Sequence, residues 1–242
     1  MKINTLCHQC LKEDYQQSLD IIIRNDGLYE LTCVENHNSL ICLTNPKFEI
    51  LFDIGIRALI DGYTRESVAS IAASLERFYE FYIRVILTKY NIPQEETKSS
   101  WKQVSNQSER QLGVFIYLYL LENKKAVKPF PDKVSAFRNN VIHKGYIPTK
   151  DEVINYGETI LSFIKDTLSE LKSTNGEFIK KLIKADTESN LKKYKEETQL
   201  ITMQITTTFI SNAPLEYDLA PTIFEDALKL SKFLNVIQRE KL

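Results

Sequence analysis

A chain of 242 residues can bury a sizeable core, and at this length two or three packed units are more natural than one. Apolar content of 43% is ample for folding, 7 Gly and 7 Pro are too few for a loop-rich or all-β chain, and a net charge of -1 excludes a strong overall pull toward nucleic acid. The most apolar stretch, Leu112 to Leu121, is too short to span a membrane and carries Tyr117 and Tyr119, so it is expected as the buried central helix of a bundle.

The chain begins Met1-Lys2-Ile3-Asn4-Thr5-Leu6-Cys7, without the apolar core of a signal peptide, so a reducing cytoplasm and free thiols are expected. All four cysteines fall in the first fifth of the sequence, as Cys7-His8-Gln9-Cys10, Cys33 and Cys42. A Cys-x-x-Cys pair followed some twenty residues on by a second pair offers four soft ligands of the kind tetrahedral zinc prefers. Between them, Gly27 to Cys33 alternates like a strand that delivers a ligand, with Ser39 to Leu43 as its partner. The expectation is a small zinc ribbon over residues 1–45, holding structural Zn2+ through Cys7, Cys10, Cys33 and Cys42. Cys42 is favoured as the softer donor, and His37, which makes a Cys-x-x-x-His knuckle with Cys33, is the alternative. A redox pair fits less well, since no βαβ setting surrounds the Cys-x-x-Cys.

Helical spacing organises the middle. Phe48, Leu51, Phe52, Leu59 and Ile60, then Leu75, Phe78, Tyr79, Tyr82 and Ile86, recur at intervals of three and four, as buried stripes do. A segment of small residues, Ala69 to Ser74, lies in the second stripe. The polar stretch Asn91 to Gln107, with Pro93 and Trp101, reads as a long connection. After the turn Lys128-Pro129-Phe130-Pro131, Asp132 is a suitable N-cap for a helix that Gly145 closes and Pro148 follows.

That helix ends in the most informative eight residues of the chain, Arg138-Asn139-Asn140-Val141-Ile142-His143-Lys144-Gly145. Asn139 and His143 stand at i and i+4 and share a face, while Arg138 lies beside it. Arginine grips phosphate by a planar fork, and histidine exchanges a proton near neutral pH. At the helix C-terminus the dipole favours imidazolium, poised to protonate a leaving oxygen or to act as base. Lys124, Lys125, Lys128, Lys133, Arg138 and Lys144 lead through this segment with Asp132 alone opposing them, a local positive field in which Lys133 and Lys144 are expected to touch a phosphate backbone. The bland reading is a solvated helix face.

Val153, Tyr156, Ile160, Phe163, Ile164 and Leu168 line a closing helix from Thr149 to Lys172. Thr174-Asn175-Gly176 then breaks the chain, Glu177 to Tyr194 is a lysine-rich helix, Gln199 to Ile210 a β-branched strand without an obvious partner, and Phe224 to Glu240 a last helix. The fold class expected is mainly α: a ribbon at 1–45, a helical domain at 46–172, and a helix-strand-helix α/β appendix at 173–242.

The Arg-Asn-x-x-x-His-x-Gly run, opening into a loop and a long amphipathic helix and preceded by a helical hairpin over Lys47 to Tyr90, resembles the signature of the HEPN superfamily, an antiparallel helical bundle. The resemblance covers roughly residues 46 to 172. It implies a metal-independent endoribonuclease whose site forms where two copies of the signature meet in a homodimer. Arg138 would polarise the scissile phosphate, His143 would serve attack by the 2′-hydroxyl or departure of the 5′-oxygen, and Asn139 would orient either, leaving a 2′,3′-cyclic phosphate. Glu76 matches an acidic position of the upstream helix. RNA alone carries the 2′-hydroxyl, so DNA would be spared. The family is commonly deployed in bacterial anti-phage defence and toxin systems, which implies an antitoxin or defence partner protein. The competing class is a non-catalytic adaptor whose ribbon binds nucleic acid or a protein and whose bundle merely dimerises.

Overall fold

The structure is a computed structural model that describes residues 1–13, 17–128, 130–192, 194, 199–211, 221 and 223–240. Pro129, within the turn expected before the signature helix, lies outside the described residues. The chain is mainly helical, and it divides into two compact units: Met1–Asn45 with Ile183–Thr206 and Lys229–Leu242, and Pro46–Leu182 with Thr207–Leu228. Residues 173–242, expected as a separate appendix, are shared between the two. They supply a strand to the first unit and a buried aromatic segment to the second.

In the first unit, β1 (Lys2–Leu6) runs antiparallel to β2 (Ser18–Ile22) with Ile3 opposite Ile21, both buried. The short helix α1 (His8–Lys12) lies between them in sequence. The expected strand pair forms as β3 (Leu28–Thr32) and β4 (Asn38–Leu43), antiparallel, with Leu28 opposite Cys42 and Thr32 opposite Asn38. The strand that lacked a partner in the sequence is β5 (Gln199–Met203), which adds in parallel to the other edge of β4. Beyond it, Asn45 holds the chain like one more rung: its amide donates to the Ile205 carbonyl at 3.0 Å and its oxygen accepts the Ile205 N–H at 2.8 Å. Flanked on both edges, β4 is buried from Ser39 to Leu43, the near-continuous apolar run of a central strand.

In the second unit, α2 (Lys47–Ile60) and α3 (Thr64–Lys89) form a helical hairpin about Gly62. The small residues explain their close approach. A methyl added at Gly55 would meet Ile71 Cγ1 at 2.7 Å and the Ser67 carbonyl at 3.1 Å, and Ser74 donates to the Phe48 carbonyl at 2.6 Å. The stretch expected as a connection is instead α4 (Gln94–Val104), started by Pro93 and Glu95-Glu96 in its first turn. Next come α5 (Ser108–Asn123), α6 (Asp132–Lys144) and α7 (Lys150–Leu191). The break expected at Thr174-Asn175-Gly176 is only a kink: Asn175, with φ -134° and ψ 21°, interrupts α7, which then continues. The last helix is α8 (Phe224–Glu240).

An aromatic core holds this unit together. Phe52 and Phe209 rings meet edge-on at 4.9 Å, Phe48 and Phe78 at 5.2 Å, and Phe115 packs on Tyr79 at 4.7 Å. Phe224 lies so close to Gly157 that a methyl there would fall 2.4 Å from its ring. Leu112 to Leu121 is not the buried central helix expected. Phe115 and Tyr119 face inward, but Ile116, Tyr117, Leu120 and Leu121 are exposed.

Two buried carboxylates of α2 hold the segment after Ile205. Glu49 accepts the Thr207 hydroxyl at 3.0 Å and the Ser211 N–H at 2.8 Å, while Asp53 accepts the Thr208 N–H at 3.0 Å and its hydroxyl at 2.6 Å. Burial pushes the Asp53 carboxyl up to about 6, against the opposing effect of the Thr208 hydrogen bonds and the Arg57 charge. Because folding raises this group from its ordinary 3.8, its contribution to stability is complete below about pH 4 and is lost as pH rises through about 6. As pH rises across that window, the wild type is expected to lose on the order of 2–3 kcal/mol of stability to urea that Asp53→Asn retains. Parallel curves for the two proteins would refute this assignment.

Candidate functional site

Two clusters carry chemistry, one in each unit. In the first, Cys7 caps the start of α1 and Cys10 lies within that helix. Cys33 follows β3, and His37 precedes β4 across a tight turn in which the Cys33 N–H donates to the His37 carbonyl at 3.2 Å. Asn36 takes the left-handed conformation there, φ 59°, a geometry asparagine tolerates better than most residues. The ligand atoms of Cys7, Cys10, Cys33 and His37 all lie within 4.8 Å of one another. Cys10 Sγ is 3.7 Å from Cys33 Sγ and 3.4 Å from His37 Nδ1, and Cys7 Sγ is 3.9 Å from the same nitrogen.

These spacings fit a tetrahedral cation. Metal–sulfur bonds of about 2.3 Å and metal–nitrogen bonds of about 2.0 Å place neighbouring ligands roughly 3.5–3.8 Å apart. The three sulfurs are buried and form the local core with Leu19. Burial pushes the Cys10 thiol up to about 12, reinforced by the thiols of Cys7 and Cys33. Burial also raises Cys7, but its net shift is downward, because the Cys10 N–H, the neighbouring thiols and the Gln9 N–H stabilise its thiolate. A cation among these sulfurs would favour their thiolate forms. Behind them, His37 Nε2 faces Glu13 Oε1 at 3.9 Å, a carboxylate placed to orient the ring from outside the ligand set.

Cys42, favoured above as the fourth ligand, is not part of this cluster. It lies on β4 opposite Leu28, roughly 14 Å along the hairpin from the turn that carries Cys33 and His37. It is buried, and burial raises its thiol; it packs as a small apolar side chain. His37 takes the fourth position.

The second cluster surrounds Arg138. The helix α6 is anchored by buried Val141 and by Phe137, whose ring lies 5.5 Å from Tyr156. It starts one residue earlier than expected: Pro131 is the N-cap, and Asp132 sits in the first turn, where its charge still favours the dipole. Gly145 closes the helix in the left-handed region at φ 71°, and the Tyr146 N–H reaches back to the Asn140 carbonyl at 3.1 Å.

Arg138 turns inward. Its Nη2 lies 3.9 Å from Glu76 Oε1 on α3 and donates to Ser108 Oγ, the first residue of α5, at 3.4 Å. Tyr79 and Tyr156 are buried close by, each phenol pushed up chiefly by burial and each within electrostatic reach of Glu76 and Arg138. The side chains of Arg138 and Glu76 remain 23% and 31% exposed, so this ion pair is worth no more than about 1 kcal/mol. A phosphate can compete for that guanidinium, since a charge-assisted hydrogen bond contributes about 1.5–3 kcal/mol. Arg77, by contrast, is committed to Glu80 at 2.7 Å and Gln111 at 3.0 Å.

Asn139 and His143 are exposed on one face of α6, and Lys133 and Lys144 are exposed on the same helix. A five-residue separation turns His143 about 140° around the helix axis from Arg138. One chain therefore presents the guanidinium and the imidazole on different sides of α6. Glu76 was legible in the sequence as an acidic residue on the neighbouring stripe. Ser108 and the two tyrosines were not, because nothing local distinguishes them from other polar and core residues.

A cavity of about 570 Å³ lies between α3, α4 and α5, lined by Ile83, Leu87, Ile92, Trp101, Val104 and Leu118 among others, and by none of the signature residues. Among the described residues no helix is long and apolar enough to cross a membrane. No protein-family model, curated protein or solved structure matches this chain.

The metal cluster makes a direct demand on mutagenesis. Elemental analysis of purified protein is expected to find about one bound metal ion per chain, retained in Cys42→Ser and lost in Cys10→Ser and His37→Ala. Loss of metal from Cys42→Ser, with retention in His37→Ala, would reverse the ligand assignment.

Proposed function

We propose that this protein is a metal-independent endoribonuclease of HEPN type that acts as a homodimer. The observation that carries the reading is the state of Arg138: a half-buried guanidinium, weakly held by Glu76 and Ser108, on the same helix as an exposed histidine and flanked by exposed lysines. The reaction needs a cation on the non-bridging oxygens of the scissile phosphate and a group that moves a proton to or from the 2′- and 5′-oxygens. Arg138 supplies the first and His143 the second. Their divergence around α6 favours a shared site, in which Arg138 of one copy works with His143 of the other. Glu76 and Ser108 position the guanidinium, Asn139 orients the phosphate from the histidine face, and Lys133 and Lys144 hold the flanking backbone.

The cation in the amino-terminal unit is zinc in this reading, since three thiolates and an imidazole form a donor set that suits it. All four positions are protein ligands, so the ion organises the ribbon and leaves no open site for substrate. Thiols in this number remain available to a metal in a reducing cytoplasm. The biological setting that the family resemblance implies is a toxin or anti-phage effector, restrained by a protein partner until needed. The adaptor alternative keeps the ribbon and the dimer and removes the chemistry.

Incubation of purified protein with RNA in magnesium-free buffer distinguishes them. Wild type is expected to leave 2′,3′-cyclic phosphate ends and to spare DNA, and Arg138→Ala and His143→Ala are each expected to lower the rate by about 100-fold or more. Intact RNA with bound protein would establish the adaptor instead, and full activity in both variants would overturn the residue roles.

A further inference from the structure

The outer face of α5 is unusual for a helix at a protein surface. Ile116, Tyr117, Leu120 and Leu121 are exposed, Tyr117 to 75%, and Gly113 lies in the same stripe, since 113, 116, 117 and 120 follow the three-and-four spacing of one helix face. A methyl added at Gly113 would meet nothing within 4 Å. The opposite face, with Gln111, Phe115 and Tyr119, is buried in the helical unit. A helix apolar on both sides is one whose second side is covered. The exposed side chains leave on the order of 400 Å² of apolar surface per copy, about half of what one partner contributes to a standard interface.

We propose that this face is the docking surface for a second copy of the chain, with the two α5 helices crossing antiparallel. The order of residues along the face makes it complementary to itself. Place a two-fold axis between Ile116 and Tyr117, and Ile116 meets the partner's Tyr117. The bare surface at Gly113 then receives the partner's Leu120, a knob entering the gap that a missing side chain leaves. At the rim, exposed Glu109 faces the partner's Lys124, and each ion pair occurs twice by symmetry. Parallel pairing would set Glu109 against its own copy and Lys124 likewise, and so is disfavoured. Tyr117 keeps its hydroxyl at the wet edge while its ring is covered. The polar rim around the apolar centre supplies the remaining area.

This inference deepens the homodimeric reading above by naming the surface that joins the copies. The helix whose outer face would be shared is also the helix that begins at Ser108, the residue bonded to Arg138, so docking and the proposed site are linked through one element.

Sedimentation equilibrium of the full chain is expected to give twice the chain mass for wild type and a monomer for Leu120→Glu and for Tyr117→Lys, with the helical circular dichroism of both variants unchanged. Cysteine oxidation reads the orientation without disturbing the apolar centre. A mixture of Glu109→Cys and Lys124→Cys is expected to form a cross-linked pair. Glu109→Cys alone is not, because its two copies would stand roughly 20 Å apart along the helices. Wild type serves as the control for the native thiols. A monomeric wild type, dimeric variants, or cross-linking of Glu109→Cys with itself would each overturn the proposal. If the dimer behaves as expected and no RNA is cut, the nuclease reading fails and the docking surface stands. If RNA is cut and Leu120→Glu stays dimeric, the reverse holds.

Discussion

Three buried thiols and an imidazole whose ligand atoms lie within 4.8 Å of one another form a group that could hold a metal ion, and a cation among them would offset the burial of thiolates. That constraint governs the amino-terminal unit. Its strands are five or six residues long, and the cysteines themselves provide much of the local core, with Leu19 packed against them. Two knuckles prepare the site: one where Cys7 caps α1, the other where Asn36 adopts a left-handed turn between Cys33 and His37. A cation held by all four residues would tie the β1–β2 pair to the β3–β4 hairpin. Without it, burial holds Cys10 protonated and the two knuckles lose their common partner.

The helical unit answers a similar problem by other means. Glu49 and Asp53 are buried on α2 and are matched by hydroxyls and backbone N–H groups of the segment from Thr207 to Ser211. Hydrogen-bond donors, rather than thiolate and imidazole ligands, surround these two groups. Arg138 occupies a wetter place. Its partners, Glu76 and Ser108, lie at 3.9 and 3.4 Å, too long for firm contacts, and the side chain remains part exposed. Tight pairing makes Asp53 structural, whereas loose pairing leaves the Arg138 guanidinium free to change partners.

How much could be read beforehand follows the range of the interactions involved. The Cys-x-x-Cys spacing, the β3–β4 pair, the α2 and α3 stripes and the Gly145 cap each depend on residues close together in sequence, and each takes the form the sequence suggests. The choice of the fourth ligand did not follow from chemistry. Sulfur is the softer donor, but the hairpin turn delivers His37 beside Cys33, and the same hairpin carries Cys42 away. The partner of β5 lies more than 150 residues upstream, and no local pattern identifies β4 as its neighbour. The apolar run of α5 was legible as helix, but its burial was not, because a helix apolar on all sides does not say which side its own chain covers.

By itself the sequence determined the β3–β4 pair and the helices that begin at Lys47, Thr64 and Asp132, where the thiols gather, and that a guanidinium, a carboxamide and an imidazole lie within little more than one turn of a single helix. These are consequences of backbone periodicity and of capping, which act over a few residues. Only the tertiary structure decided that His37 joins Cys7, Cys10 and Cys33, that Glu76 and Ser108 receive Arg138, and that the Ile116–Tyr117–Leu120 face of α5 is left uncovered. Each of those outcomes depends on which distant surface reaches a side chain first, and burial and strand register resolve that competition once the whole chain has packed.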